Sequence, residues 1–164
     1  MEAIIQLITI AVLIAIGYFT GKHYEDTHFK SIKEREAALV NLPALTMPLK
    51  DVLRQQANQK AIERAELVMG NIVISPDYFK IFVGGLVSLF GGGLPVFESV
   101  VDRARRESVL RLKEKAMLVF GHVDMIVNLR IETSRIGGNS NEAISSVEAF
   151  AYGTAIKLKD AVHP

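Results

Sequence analysis

The sequence predicts an α+β fold, in which a small antiparallel sheet packs with one long and one short helix behind an N-terminal transmembrane helix. Three observations predict it: an uncharged apolar stretch near the start, a helical pattern over residues 95–120, and β-like runs on both sides of that helix. Hydrophobic residues make up 49% of the 164 and charged residues 23%, as in a folded domain. The net charge of +1 gives no global nucleic-acid footprint, so we expect no nucleic-acid partner.

Residues 3–20 carry no charge. As a helix they would span about 27 Å, close to the thickness of about 30 Å of a hydrocarbon core. A signal peptide and a buried core helix are the alternatives. However, the stretch follows Glu2 instead of a basic segment, no A-x-A site succeeds it, and it has almost no polar face. We expect residues 1–21 to form a single-pass transmembrane helix with the lipid bilayer as partner.

Positive charge after this helix predicts its orientation. Lys22, Lys30, Lys33 and Arg35 follow the apolar stretch, whereas only the α-amino group precedes it. The positive-inside rule then places the C-terminal domain in the cytoplasm. Residues 22–60 are predicted to be a juxtamembrane helix and linker, with the helix continuing from the membrane or lying along its surface. Pro43 and Pro48 interrupt that helix.

Residues 61–160 are predicted to form the α+β domain. Residues 61–74 are predicted as a strand with a kink at Gly70-Asn71, and Ser75-Pro76 could begin a short helix. The long helix over 95–120 begins at Pro95 and ends before Gly121. Its exposed face predicts i,i+4 ion pairs, which are Asp102–Arg106, Arg103–Glu107 and Glu107–Arg111. Residues 124–133 and 143–158 then predict a hairpin with a long loop.

A glycine-rich loop precedes the long helix and raises the question of a phosphate site. Its glycines are Gly84, Gly85, Gly91, Gly92 and Gly93. A Walker A loop requires a following Lys, and a dinucleotide loop requires G-x-G-x-x-G, and neither is present. Apolar neighbours favour a packing or turning role. The serines stand in no nucleophile-elbow context and there is no cysteine, so we expect a non-enzymatic protein without a cofactor.

The histidines offer weak metal candidates. None of them forms an i,i+4 pair with another. His122 and Asp124 would point to the same side of a strand, but two ligands are fewer than the three or four that a zinc site needs. Two such pairs at an oligomer interface could complete a site. Metal binding by His and Asp is therefore the alternative function.

Three stretches together resemble the YbjQ-like family, whose label refers to heavy-metal binding. They are ELVMGNIVIS, GGLVSLFGGGLPVFESVVDRARRES and SVEAFAYGTAIKL, and the resemblance covers roughly residues 61–158. The matching positions are Gly92, Gly93, Phe97, Glu98, Ala104, Arg105, Gly121, Asp124, Gly153, Thr154 and Ala155. The sequence departs from the pattern at His122-Val123, which leaves Asp124 one residue late.

The resemblance implies a compact α+β domain that assembles into a ring, a pentamer, without a well-established activity. The glycines of the loop, with Phe97, Glu98 and Arg105 at the loop–helix junction, are then expected to form packing and subunit contacts. The heavy-metal label finds no thiol in this chain to support it. The leading hypothesis is a membrane-anchored, ring-forming scaffold or binding protein.

Overall fold

The computed structural model describes residues 1–55, 61–75, 95–136 and 146–159. The helices are α1 (Glu2–Ala38), α2 (Leu49–Gln55) and α3 (Pro95–Phe120). The strands are β1 (Ile62–Ile74), β2 (Met125–Ile136) and β3 (Ser146–Leu158). They form one antiparallel sheet in the order β1-β3-β2, which confirms the α+β prediction and the pairing of the last two strands.

α1 is a single unbroken helix of 37 residues, about 55 Å long. The predicted transmembrane and juxtamembrane helices are therefore one element. None of the most apolar 18-residue segment of α1 is buried. The helix is long and apolar enough to cross a membrane. The helix ends at Ala38, before Pro43 and Pro48, as the prolines predict.

Glycine permits α3 to lie close against the sheet. A Cβ placed on Gly70 would stand 2.4 Å from the carbonyl oxygen of Ser108 and 2.5 Å from the backbone nitrogen of Leu112, so only glycine fits beneath α3. The predicted kink at Gly70-Asn71 is wrong, because β1 pairs with β3 in unbroken register through Gly70↔Ala151 and Asn71↔Phe150. The glycine serves close approach between helix and strand instead of a bend.

A β-bulge marks the opposite edge of the sheet. The register of β2 against β3 shifts between Val127 and Arg130, and Asn128 takes a positive φ of 56°. Asn tolerates this left-handed conformation better than most residues. Gly153 of β3 lies opposite, where an added Cβ would be 3.0 Å from the Ile126 side chain. The bulge thus depends on a glycine across the ladder.

The core lies between α3 and one face of the sheet. Its buried members come from both layers and include Val68, Ala104, Leu112, Ala116, Ile126, Ala149, Ala151 and Ala155. The other face is covered at one end only, where Val52 of α2, with Leu45 and Leu49, packs on Met125, Val127, Ile156 and Leu158. Among the described residues, no apolar cluster covers the remainder of that face.

The segment between α1 and α2 pairs with the edge of β2. Ile126 donates its N–H to the carbonyl oxygen of Pro43 at 2.9 Å, and Leu45 donates to the carbonyl oxygen of Ile126 at 2.8 Å. A parallel bridge joins Ala44 to Ile126. Part of the predicted linker therefore belongs to the domain and covers an edge strand. The predicted short helix after Ser75 lies outside the described residues.

We expect Gly70→Ala to destabilise the domain by about 2 kcal/mol or more, because the new methyl group meets backbone atoms of α3 that have no rotamer to move into. Thermal unfolding of the full chain, followed by circular dichroism, measures the effect. Gly121→Ala is the control: its φ of 70° costs about 1 kcal/mol, but nothing lies within 4 Å of an added Cβ. Equal losses of stability would show that α3 can retreat from β1.

Candidate functional site

The most organised polar arrangement in the described residues joins the C-terminal half of α1 to α3. We call it the α1–α3 junction. Arg35 forms two hydrogen bonds to the carboxylate of Glu114, at 2.6 and 2.8 Å, and a third to Glu107 at 2.7 Å. Glu107 is only 3% exposed and also accepts a hydrogen bond from Arg111 at 3.0 Å. Bidentate pairing of this kind fixes the orientation of both partners.

A second ion pair lies beside the first. Arg106 donates to both oxygens of Glu36, at 2.8 and 2.6 Å, and its guanidinium also lies 5.9 Å from the centre of the Phe29 ring. Lys113 donates to the carbonyl oxygen of Leu39, which caps the end of α1. Ile32, fully buried, lies on the segment of α1 between these contacts. Polar and apolar contacts thus hold the same stretch of α1.

The electrostatics agree with the geometry. The hydrogen bonds that Arg35 donates to Glu114 and Glu107 raise the pKa of Arg35, so its charge is permanent. The hydrogen bonds from Arg106 lower the pKa of Glu36. Burial lowers the pKa of Lys113. Arg35 and Glu36 are therefore both charged at neutral pH.

The intrahelical pairs predicted for α3 are partly correct. Asp102–Arg106, at 3.7 Å, and Glu107–Arg111 form as predicted. The predicted Arg103–Glu107 pair is wrong, because the Glu107 carboxylate accepts from Arg35 and Arg111 instead. No local pattern predicts the pairing of Arg35, because its acceptors lie 72 and 79 residues away along the chain.

The second candidate surface is the uncovered part of the sheet. We call it the open sheet face, and its apolar members are Leu67, Met69, Val73, Phe150 and Tyr152. Leu67 is 62% exposed, Met69 41% and Val73 49%. The rings of Phe150 and Tyr152 lie 5.6 Å apart beside them. A contiguous apolar patch of this kind on a sheet is typical of a protein contact.

The predicted packing-loop residues lie only partly within the described chain. Gly84, Gly85, Gly91, Gly92 and Gly93 fall outside it. Phe97 lies in the first turn of α3, and the described structure covers only its backbone. Glu98 and Arg105 are exposed on α3, and no ion pair of the described residues involves either of them. Their predicted role in subunit contacts remains a prediction.

The predicted metal candidates, His122 and Asp124, lie close together, but Asp124 has a structural role. His122 Nε2 lies 3.6 Å from Asp124 Oδ1, but the histidine side chain is 73% exposed. Both residues precede β2 and are not part of a strand. The other carboxylate oxygen of Asp124 accepts the N–H of Leu158 at 2.8 Å, so this residue fastens β2 to the end of β3. Within the described ranges, no group of three His, Cys, Asp or Glu side chains could hold a metal ion.

A comparison with family profiles matches residues 52–159 to YbjQ, described as "Putative heavy-metal-binding". The chain belongs to the YbjQ family. A UPF0145 protein of Clostridium novyi is 33% identical over 60% of this chain and 88% of its own length. A UPF0145 protein of Psychrobacter arcticus is 31% identical over 64% of this chain and 61% of its own length. A UPF0145 protein of Halorubrum lacusprofundi is 32% identical over 63% of this chain and 91% of its own length.

The heavy-metal description of the YbjQ family does not fit the donors found here. The chain has no cysteine, His122 is solvated, and Asp124 already has a backbone partner. Soft metals prefer thiolate ligands, and zinc requires three or four donors. The described side chains therefore give no basis for deriving metal chemistry. The α1–α3 junction and the open sheet face are the features that bear on function.

We expect Arg35→Gln to loosen α1 from α3 by about 2 kcal/mol, because buried Glu107 loses a charged partner. Hydrogen exchange of residues 28–38 in the full chain should then rise about 30-fold.

Lys30→Gln is the matched control on the same helix. Its 4.0 Å pair with Glu34 is exposed on both sides, so we expect a change below about 0.5 kcal/mol. Similar exchange in both variants would contradict the importance of the α1–α3 junction.

Proposed function

We propose that this YbjQ protein is a membrane-anchored, non-enzymatic scaffold whose cytoplasmic domain assembles into a homo-oligomer, a pentameric ring. The observation that carries the proposal is the continuity of α1. One helix contains the uncharged stretch 3–20 and also the residues that are ion-paired to α3. An anchor of this kind is coupled to its domain through a rigid element, without a flexible tether.

The continuity of α1 favours a retained anchor over a cleaved leader. A leader ends at an extended, small-residue cleavage site, whereas α1 is helical through Gly17, Tyr18 and Gly21 and continues to Ala38. A buried core helix is not supported either, because the apolar stretch is exposed along its length. A lipid environment would cover side chains such as Ile8, Leu13 and Phe19, which are 57%, 64% and 69% exposed.

The open sheet face supports assembly. A lone domain of this size rarely exposes neighbouring Leu, Met, Val and aromatic side chains on a sheet. A second copy would bury them, and cyclic symmetry would repeat that contact around a ring. The family resemblance supplies the expected number of five. Several anchors on one ring would multiply membrane affinity.

Topology can be tested with single cysteines, because the chain has none of its own. We expect Lys159→Cys to react with a membrane-impermeant maleimide only after the cells are permeabilised, and Glu2→Cys to react in intact cells. Both positions are exposed. Carbonate extraction of the unmodified chain tests retention of the anchor. The reverse labelling pattern would contradict the cytoplasmic placement, and release by carbonate would contradict the anchor.

Native mass spectrometry of the full chain, released from detergent micelles, tests assembly. We expect a discrete species of five subunits, and a shift towards monomer in Met69→Arg, because the charge would be buried against apolar neighbours in the contact.

Leu118→Arg is the control for that variant. It adds the same charge at a residue of α3 that is 84% exposed and lies away from the open sheet face. We expect it to leave the mass unchanged. A monomeric parent chain would contradict the proposed ring, and equal dissociation in both variants would contradict the role of the open sheet face.

A further inference from the structure

We infer that a cavity between α1, the end of β1 and the start of α3 binds a phosphate group, in the first instance that of an anionic lipid. The cavity measures about 440 Å³. Tyr24 and His28 line it from α1, Ser75 from the end of β1, and Ser99 and Arg103 from α3. The assignment of the phosphate to a lipid rests on the proposed membrane anchor, whereas the phosphate site itself does not.

Two buried nitrogen atoms on the residues that line the cavity lack a partner. His28 Nδ1 and Arg103 Nε are the buried side-chain atoms of the described chain without a hydrogen bond. Buried polar groups in folded proteins are almost always satisfied, and exceptions commonly mark a functional site or a missing ligand. Both exceptions here belong to one cavity, so one ligand with acceptor oxygens could satisfy them together.

Arg103 takes no part in the ion pairs described for α3, and its Nε lacks a hydrogen-bond partner. Its predicted acceptor, Glu107, is occupied by Arg35 and Arg111. Burial lowers the pKa of Arg103, which means that its charge is partly desolvated without a compensating anion. A guanidinium in this state binds a phosphate with a smaller further loss of hydration than a fully exposed one.

Three arginines lie around His28, of which Arg35 and Arg111 are also paired with Glu107. Burial lowers the pKa of His28, and the charges of Arg103, Arg35 and Arg111 lower it further, whereas that of Glu107 raises it. Glu25 also lines the cavity, but it already takes part in an interaction of its own. Ser75, whose hydroxyl is hydrogen-bonded to that of Ser146 at 2.8 Å, and Ser99, which takes part in an interaction of its own, also line the cavity.

Position favours a lipid as the source of the phosphate. Gly21, which directly follows the uncharged stretch 3–20, and Tyr24, about one helical turn further on, both line the cavity. If that stretch crosses the bilayer, the cavity lies at the level of the headgroups. Its lining also includes Ile72, Ile74 and Val100, which suit the glycerol and upper acyl carbons of a lipid.

The test uses the full chain in a zwitterionic detergent without phosphate, titrated with short-chain phosphatidylglycerol, short-chain phosphatidylcholine and inorganic phosphate. Binding is measured by calorimetry. We expect phosphatidylglycerol to bind, and Arg103→Gln to weaken it about tenfold or more, since a charge-assisted contact is lost. Arg103→Lys retains the charge and should recover most of the affinity.

Arg105→Gln is the matched control, because Arg105 is an exposed arginine two residues away that does not line the cavity. We expect its affinity to stay within about twofold of the parent chain. His28→Gln provides a second variant from the other side of the cavity, with a loss of about threefold expected for a neutral hydrogen bond. Melting curves identify any variant that fails to fold.

Each outcome decides one part of the inference. Binding of phosphatidylglycerol alone supports the lipid source. Equal binding of inorganic phosphate supports the site but assigns it to a soluble ligand. Failure of all three probes to bind, or equal losses in Arg103→Gln and Arg105→Gln, overturns the inference. The titration does not require a bilayer, so failure of the anchor in carbonate extraction is recognised separately.

Discussion

The pairing of Arg35 with Glu107 and Glu114 is the constraint on which the arrangement of this molecule depends. Glu107 is buried on α3, where an uncompensated carboxylate would be costly, and Arg35 reaches it from a helix that is distant in sequence. Because the same guanidinium also holds Glu114 in a bidentate contact, α1 cannot rotate about its own axis without breaking hydrogen bonds. The direction of the apolar half of α1 is therefore set by side chains of α3.

The close contact between α3 and the sheet depends on small residues. At Gly70 the backbone of α3 comes close to β1. The small side chains of Ala149, Ala151 and Ala155 leave room for the helix above the centre of β3. This flat surface gives a tightly packed core on one side only. On the other side, α2 covers a single end of the sheet, and the larger Leu67 and Met69 stay exposed. The asymmetry follows from where the small and the large residues alternate along the strands.

Local signals predicted the elements well, and long-range contacts escaped them. Pro95 and Gly121 bracket α3 correctly because helix ends are determined by neighbouring residues. The strand with Gly70 was predicted, but its glycine was assigned to a kink, since a sequence cannot show that a helix passes 2.4 Å from the missing Cβ. Arg103 and Glu107 have the i,i+4 spacing of an ion pair, but the Glu107 carboxylate accepts a hydrogen bond from Arg35 instead. The pairing of residues 43–47 with β2 is not visible in the hydrophobic periodicity of the sequence.

The α1–α3 junction unites two parts of the chain that the family comparison separates. Arg35 and Glu36 lie before the matched range of 52–159, whereas Glu107, Glu114 and Arg106 lie within it. The matched domain thus carries the partners for a helix outside that range. α1 contacts α3, and α3 covers the face of the sheet opposite the open sheet face. The open sheet face and the ion pairs between α1 and α3 use different side chains, so assembly through the sheet would not require the α1–α3 junction to break.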